Sequence, residues 1–323
     1  MRMKFGLLVI SIAFFQCQFY AQDTTAIAKI DTVPIIEKPW KLKAINTLNG
    51  TQTAFVNWNA GGRNNVSVLA SISASANYKK DHISWTNDLS LALGGLQYID
   101  KASSEGLQKT DDRIDLASNY GHKIKNNYYY SVLGGFKTQM LDGYSYPNDS
   151  VRVSTFLAPG YVNLALGVDY TKSDNFSVFT SPLAGKMTIV NDQVLSNAGA
   201  FGVQGASYDG LGNVLVAGKR IRSEFGAFVK VKYNFNVAKN IDLKSKIELF
   251  SNYLVNPQNI DINAEALFSF KVNSWFSASL QWTVIYDDDI DIRDVNGGIG
   301  PRTQFKSVLG IGISYKLENE EKK

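Results

Sequence analysis

The stretch "IDLKSKIELFSNYL", residues 241–254, decides the fold. Ile241, Leu243, Ile247, Leu249 and Tyr253 share one parity, while Asp242, Lys244, Lys246, Glu248 and Asn252 share the other. Successive side chains of a β-strand point to opposite faces, so this segment has one apolar face and one charged face. A soluble β-sandwich would bury the apolar face in a core and turn the charged one to solvent. A membrane β-barrel would turn the apolar face to lipid and keep the charges in an enclosed wet interior.

The same alternation recurs on both sides of this segment. Val66, Val68, Ala70, Ile72, Ala74, Ala76 and Tyr78 oppose a row of serines and Asn77. Ile83, Trp85, Leu89, Leu91 and Leu93 oppose Ser84, Thr86, Asp88 and Ser90. Val162, Leu164, Leu166, Val168 and Tyr170 oppose Asn163, Gly167 and Asp169. Phe225, Val229, Val231, Tyr233 and Phe235 oppose Glu224, Lys230, Lys232 and Asn234. Phe276, Leu280, Trp282, Val284 and Tyr286 oppose serines, Gln281 and Thr283. The last strand sets Leu309, Ile311, Ile313, Tyr315 and Leu317 against Gly310, Gly312, Ser314 and Lys316, an outward stripe like an outer-membrane insertion signal. Near 44–55 and 176–190 the alternation is less clean and the parity stays open.

Connections alternate between short and long. Short polar turns sit at Lys79–Asp81, Lys125–Asn127, Ser173–Asn175, Ala238–Asn240 and Asn273–Ser274. Longer linkers fall near 56–64, 100–112, 142–159, 182–221, 255–260 and 287–303. Counting strands between these breaks gives about twelve, an even number as bacterial barrels require. Aromatic residues gather at strand ends, with Tyr78, Trp85, Tyr128, Tyr130, Tyr170, Phe176, Tyr233, Phe235, Phe276 and Tyr315 near the short turns or the C-terminal end. Tyr98, Tyr161, Tyr253 and Tyr286 lie near the long loops. Such clustering matches interfacial girdles. The reading is an all-β, closed antiparallel transmembrane barrel of about 12 strands, with short periplasmic turns and long extracellular loops.

The 323-residue chain carries a net charge of +4, too weak a positive balance to point to nucleic acid. Met1-Arg2-Met3-Lys4 followed by apolar Phe5–Phe15 reads as an export signal, with cleavage expected near Ala21. Cys17 lacks the small preceding residue of a lipidation site, having Gln16 there, and it leaves with the signal. The domain reading is a signal peptide at 1–21, a periplasmic linker at 22–40, the barrel at 41–317 and a polar tail at 318–323. Asp23-Thr24-Thr25 and Asp31-Thr32-Val33 in the linker resemble short O-glycosylation sites, though an unmodified linker is the simpler reading.

"QTAFVNWNAGGRNN" (52–65) resembles a family of Bacteroidota outer-membrane β-barrels of unknown function. Its members begin with an Asn-Trp-x-x-Gly-Gly-x-Asn element, here carried by Asn57, Trp58, Gly61, Gly62 and Asn64. The resemblance continues through "KTDDRIDLASNYG" (109–121), "STFLAPGY" (154–161), "SPLAGK" (181–186), "NPQNIDIN" (256–263) and "YDDDIDI" (286–292). Asn65 stands where members often have Ser. The resemblance implies location and fold, and it supplies neither a reaction nor functional residues.

Candidate chemistry centres on the lumen. Lys230, Lys232, Lys244, Lys246, Lys271 and Lys306 share the inner wall with Asp242, Glu248 and Glu265. These mixed charges either pair across strands and close the bore or line a water-filled pore. The acidic run Tyr286–Asp291, with Asp294 beyond, could attract Ca²⁺, but it lacks the EF-hand spacing and reads first as a solvated loop. Asp111-Asp112 reads as strand-edge charge. The two histidines, His82 and His122, both sit near short turns, and no serine stands in a nucleophile elbow, so no enzyme is expected. The glycines from Gly199 to Gly218 lack the setting of a phosphate cradle and read as a flexible extracellular loop. No catalytic residue, metal or cofactor is assigned. Three functional readings remain: a narrow passive pore, a non-enzymatic subunit of an envelope complex, and a soluble secreted β-sandwich binding module. Expected partners are outer-membrane lipid, the barrel-assembly machinery during insertion and envelope-complex proteins.

Overall fold

The computed structural model describes residues 39–54, 63–99, 106–173, 175–293 and 298–319. The expected signal peptide, nearly all of the linker, signature residues Asn57, Trp58, Gly61 and Gly62, Asp294 and the end of the tail lie outside the described residues.

Twelve strands close into one barrel. They are β1 (Trp40–Thr53), β2 (Asn65–Lys80), β3 (Ile83–Tyr98), β4 (Gln108–Lys125), β5 (Tyr128–Thr138), β6 (Gly160–Ser173), β7 (Phe176–Ile189), β8 (Ile221–Ala238), β9 (Ile241–Asn252), β10 (Asp261–Lys271), β11 (Phe276–Tyr286) and β12 (Gln304–Glu318). Each pairs antiparallel with its neighbours in sequence, and β12 returns to β1. Short turns join β2 to β3, β4 to β5, β6 to β7, β8 to β9 and β10 to β11, all at one end. Asp81 and Asn126 hold the left-handed position of their turns at φ 51°, a backbone region that Asp and Asn accept more readily than other side chains.

Two linkers are shorter than the sequence suggests. Strand β4 begins at Gln108 rather than after 112, and β7 runs to Ile189, which agrees with the unclean alternation read over 176–190 and not with a linker starting at 182. The reason in β7 is a bulge. Ser181 pairs with Phe228 and Ala184 with Gly226, so Pro182 and Leu183 together face Ala227. Ser177, Phe179 and Ser181 point inward before it, and Ala184, Lys186 and Thr188 point inward after it. The extra residue flips the parity, which hides the strand from a period-two reading. Proline, with no N–H to donate, sits where the ladder is already broken.

The outer face is apolar and exposed, as in Leu164 at 58 % and Leu309 at 64 %. A belt of touching rings circles much of the short-turn end: Trp40 lies 5.2 Å from Tyr78 and 5.6 Å from Trp85, Tyr128 lies 4.9 Å from Tyr170, and Tyr233 lies 5.9 Å from Phe235. On this outer face Trp85 Nε1 donates to Ser118 Oγ at 2.9 Å, and Ser118 donates to Asn87 Oδ1 at 2.8 Å. These polar groups satisfy one another, as lipid exposure demands. Tyr161 departs from the girdle. It shares the inward parity of Asn163 and Ala165 and lies near Lys186 and Arg222.

Inside the barrel, Leu133, Ala165, Phe179, Ala184, Phe228 and Phe250 form a buried apolar cluster on β5 to β9. At the long-loop end, segment 190–220 is folded, in contrast to the flexible loop its glycines suggest. Helix α1 (Gln193–Asn197) is capped by Asp192, whose carboxylate accepts from Leu195 N at 2.9 Å and also binds Arg152. Val190, Leu195 and Val203 pack with Ala158 into a small core against which Phe201 rests. A two-stranded hairpin, Ser207–Tyr208 with Val214–Val216, follows.

Candidate functional site: the barrel interior

Parity delivers the charged residues of β8, β9 and β10 to the inner wall, and register sets the first pairs. Lys230 faces Glu248 across the β8–β9 ladder and lies 3.0 Å from it. Lys246 faces Glu265 across β9–β10 and lies 3.1 Å from it. Near the short turns Lys271 meets Asp242 at 3.0 Å. Lys244 shares the same face and is exposed.

Further pairs join strands that are not neighbours. Lys137 on β5 reaches Glu248 on β9 at 2.9 Å. Asp115 on β4 lies 3.5 Å from Lys246 on β9 and 3.8 Å from Lys137. Arg113 on β4 lies 3.8 Å from Glu265 on β10. Lys232 on β8 meets Asp88 on β3 at 2.7 Å, and Lys306 on β12 meets Asp111 on β4 at 3.0 Å. Strands four to six apart in a twelve-stranded ring stand across the bore from one another, so these pairs bridge it. Arg113, Glu265, Lys246, Asp115, Lys137, Glu248 and Lys230 form one continuous chain of contacts. Asn263 Nδ2 adds a hydrogen bond to Glu248 at 3.1 Å. Four cations and three carboxylates leave one positive charge in excess in this chain.

A second layer lies at the long-loop mouth. Lys186 contacts Asp261 at 2.6 Å, Asp287 at 3.1 Å and Glu224 at 3.7 Å. Arg222 contacts Glu224 at 3.0 Å and Asp289 at 3.2 Å, and donates to Gly202 O of the folded segment at 3.3 Å. The acidic run is thus split: Asp287 and Asp289 turn to these cations, and Asp288 accepts from Asn259. Among the described residues no group of three or more His, Cys, Asp or Glu is arranged to hold a metal ion. Asp111 pairs across the bore, while Asp112 accepts from Met140 N and Leu141 N, both at 2.8 Å, and anchors the exit of β5. His82 and His122 stack 6.1 Å apart at the short-turn end.

The remaining wall, on β11, β12, β1, β2 and β3, is lined with small polar groups. Ser277, Ser279, Gln281, Thr283 and Ser314 share it with Thr47, Ser71, Ser73, Ser75, Ser84, Thr86 and Ser90. The sequence marked the basic residues of β8 to β10. It did not mark Arg113, Asp115 and Lys137 as their partners. Their inward parity was available, but their distance across the bore was not.

Two family models match parts of the chain, "Protein of unknown function (DUF3078)" over residues 51–144 and "Protein of unknown function, DUF481" over residues 185–294. No curated protein sequence matches it. Among solved structures, the translocator domain of the autotransporter NalP from Neisseria meningitidis is 10 % identical, with a TM-score of 0.36, covering 88 % of this chain and 91 % of that one. An outer-membrane channel from Pseudomonas putida F1 is 11 % identical, with a TM-score of 0.37, covering 86 % and 96 %. The NanC porin is 7 % identical, with a TM-score of 0.36, covering 83 % and 98 %. The chain is therefore similar in part to two families of unknown function, and it is a closed, twelve-stranded, all-antiparallel barrel.

Proposed function

We propose that the protein is a narrow polar conduit across the outer membrane, constricted by the ion pairs that bridge its bore. The supporting observation is the contrast between the two halves of the inner wall. A barrel built only as a solid support would fill its interior with apolar side chains throughout. Here five consecutive strands, β11, β12, β1, β2 and β3, present mostly serine, threonine and glycine instead, broken by Leu69, Val308 and the paired Asp88 and Lys306, which is a wall suited to water. The single excess positive charge in the bridging chain favours anions at the constriction, although the wider mouth sets Glu224, Asp261, Asp287 and Asp289 against only Lys186 and Arg222. The short turns face the periplasm and the long loops face outward, with the N-terminal signal and linker on the periplasmic side. Insertion by the barrel-assembly machinery uses the stripe Leu309, Ile311, Ile313, Tyr315 and Leu317. The signature Asn57, Trp58, Gly61, Gly62 and Asn64 belongs to the Bacteroidota family that the sequence resembles. A non-enzymatic role is part of this proposal; the two histidines stack against each other at the short-turn end.

Bilayer conductance of the full-length protein tests this reading. Small, weakly anion-preferring steps are expected. Lys246→Glu should reverse the preference, and Ser73→Trp should lower the conductance by obstructing the small-residue wall. Electrical silence of the wild-type protein would reject the conduit.

A second reading, a subunit of an envelope complex, is favoured by one observation. The hairpin of segment 190–220 exposes Leu211 at 88 %, Leu215 at 66 % and Val216 at 64 %. Contiguous apolar exposure beyond the membrane marks an interaction surface. Silence in the bilayer, together with a co-purifying protein lost on Leu211→Asp/Leu215→Asp substitution, would establish this reading over the first.

A further inference from the structure

The ladder that closes the barrel stops part-way along. Strands β1 and β12 pair from Lys43 with Glu318 to Asn49 with Gly312. Beyond that point β1 runs on to Thr53 paired with β2 alone, while the rest of β12, from Gln304 to Ile311, pairs with β11 alone. Among the described residues, the facing edges of Gly50–Thr53 and Val308–Ile311 therefore carry backbone groups with no ladder partner across the seam. Hydrocarbon cannot satisfy such groups, so each one left unpaired there is costly. Asn49 sits where the strands part. It is 7 % exposed, and a Cβ on Gly310 would lie 2.6 Å from its Nδ2, so glycine is what admits the amide there.

A cavity of about 360 Å³ borders this gap. Gly50, Thr51 and Leu69 line it on one side and Lys306, Val308 and Leu309 on the other, and it reaches Asp111 on β4. The outer surface beside the gap is apolar and exposed, with Phe305 at 65 % and Ile311 at 48 %. A molecule entering from outside between the unpaired edges comes from the bilayer.

We propose that the seam is a lateral binding site for a single-chain amphiphile with an anionic head. The chain packs against Leu69, Val308 and Leu309. The head meets Lys306, whose side chain is 47 % exposed and so keeps donors free beyond its 3.0 Å contact with Asp111. The unpaired strand edges offer backbone donors to the same head. The volume falls within the range of roughly 300–1,000 Å³ usual for small-molecule sites. The site uses the Asp111–Lys306 pair but no member of the continuous chain from Arg113 to Lys230, so it stands whether or not that chain leaves the barrel conducting.

The test uses full-length protein in phosphatidylcholine nanodiscs, titrated with a fluorescent laurate analogue and, separately, its neutral alcohol counterpart. Saturable binding of one laurate per chain is expected. Val308→Trp, which fills the cavity, should weaken it at least tenfold in protein that keeps folded-barrel gel mobility. Lys306→Gln should weaken laurate tenfold and the alcohol less than threefold. Unsaturable partitioning into the disc, or binding unchanged by Val308→Trp, would overturn the proposal. Equal loss of both probes in Lys306→Gln would overturn the assignment of the head.

Discussion

Removing the charge of Glu248 tests whether the bridging chain is a dry, buried structure or a set of solvated side chains. Its side chain is 11 % exposed and lies 2.9 Å from Lys137 Nζ and 3.0 Å from Lys230 Nζ. Glu248→Gln keeps the shape and one acceptor but deprives both ammonium groups of their counter-charge. Lys137 retains Asp115 at 3.8 Å. Among the described residues, Lys230, with 7 % of its side chain exposed, keeps no other carboxylate within ion-pair distance. Breaking one partner of a buried pair costs about 3–5 kcal/mol, because the remaining charge stays buried. The expected loss is therefore about 3 kcal/mol in urea unfolding from lipid vesicles, followed by the heat-dependent shift in gel mobility. Replacing both partners, Lys230→Met with Glu248→Leu, should recover most of it, since no lone charge remains. Lys232→Gln is the internal contrast. That lysine and its partner Asp88 are 34 % and 40 % exposed, so about 1 kcal/mol or less is expected. If Glu248→Gln costs no more than Lys232→Gln, water already solvates the bridging chain and it does not constrict the bore.

Ile247 shares the lipid-facing parity of Leu249, so Ile247→Lys should cost roughly 2–4 kcal/mol in the same unfolding assay if it lies near the midplane. Gly226→Ala should prevent assembly, read as loss of the folded gel form, because its Cβ would lie 1.8 Å from Ser251 O; Gly134→Ala should assemble normally, since its Cβ would meet nothing within 4 Å. Burial raises the Asp289 carboxyl above its usual value, with Asp287 and Asp288 adding to the rise and Arg222 opposing it. A raised carboxyl binds its proton more readily in the folded state, so its contribution to stability grows as pH falls from neutral through that raised value. Asp289→Asn should accordingly leave the mouth no less resistant to protease at pH 7 and flatten the gain in resistance on acidification.

The barrel was legible because lipid and lumen impose opposite chemistry on alternate residues, and β9 shows this in Ile241 to Glu248 without help from any partner strand. The pairs Lys230–Glu248 and Lys246–Glu265 were nearly legible too, since hairpin register follows from short turns such as Lys239–Asn240. Where a bulge intervenes, local pattern fails. Two residues of β7, Pro182 and Leu183, stand opposite one of β8, so alternation read from Phe176 assigns Lys186 to the lipid face when it binds Asp261 in the mouth. The pairs across the bore were beyond local reading for a different reason. Parity puts Asp115 and Lys137 inside, but whether they meet β9 depends on the diameter and stagger of the closed ring, which no single strand encodes. The same holds for the seam. Neither β1 nor β12 carries a bulge where their pairing ends, and at the observed register β1 could have paired on as far as Thr53 with Val308, so the place where they part is marked by no local pattern in either strand.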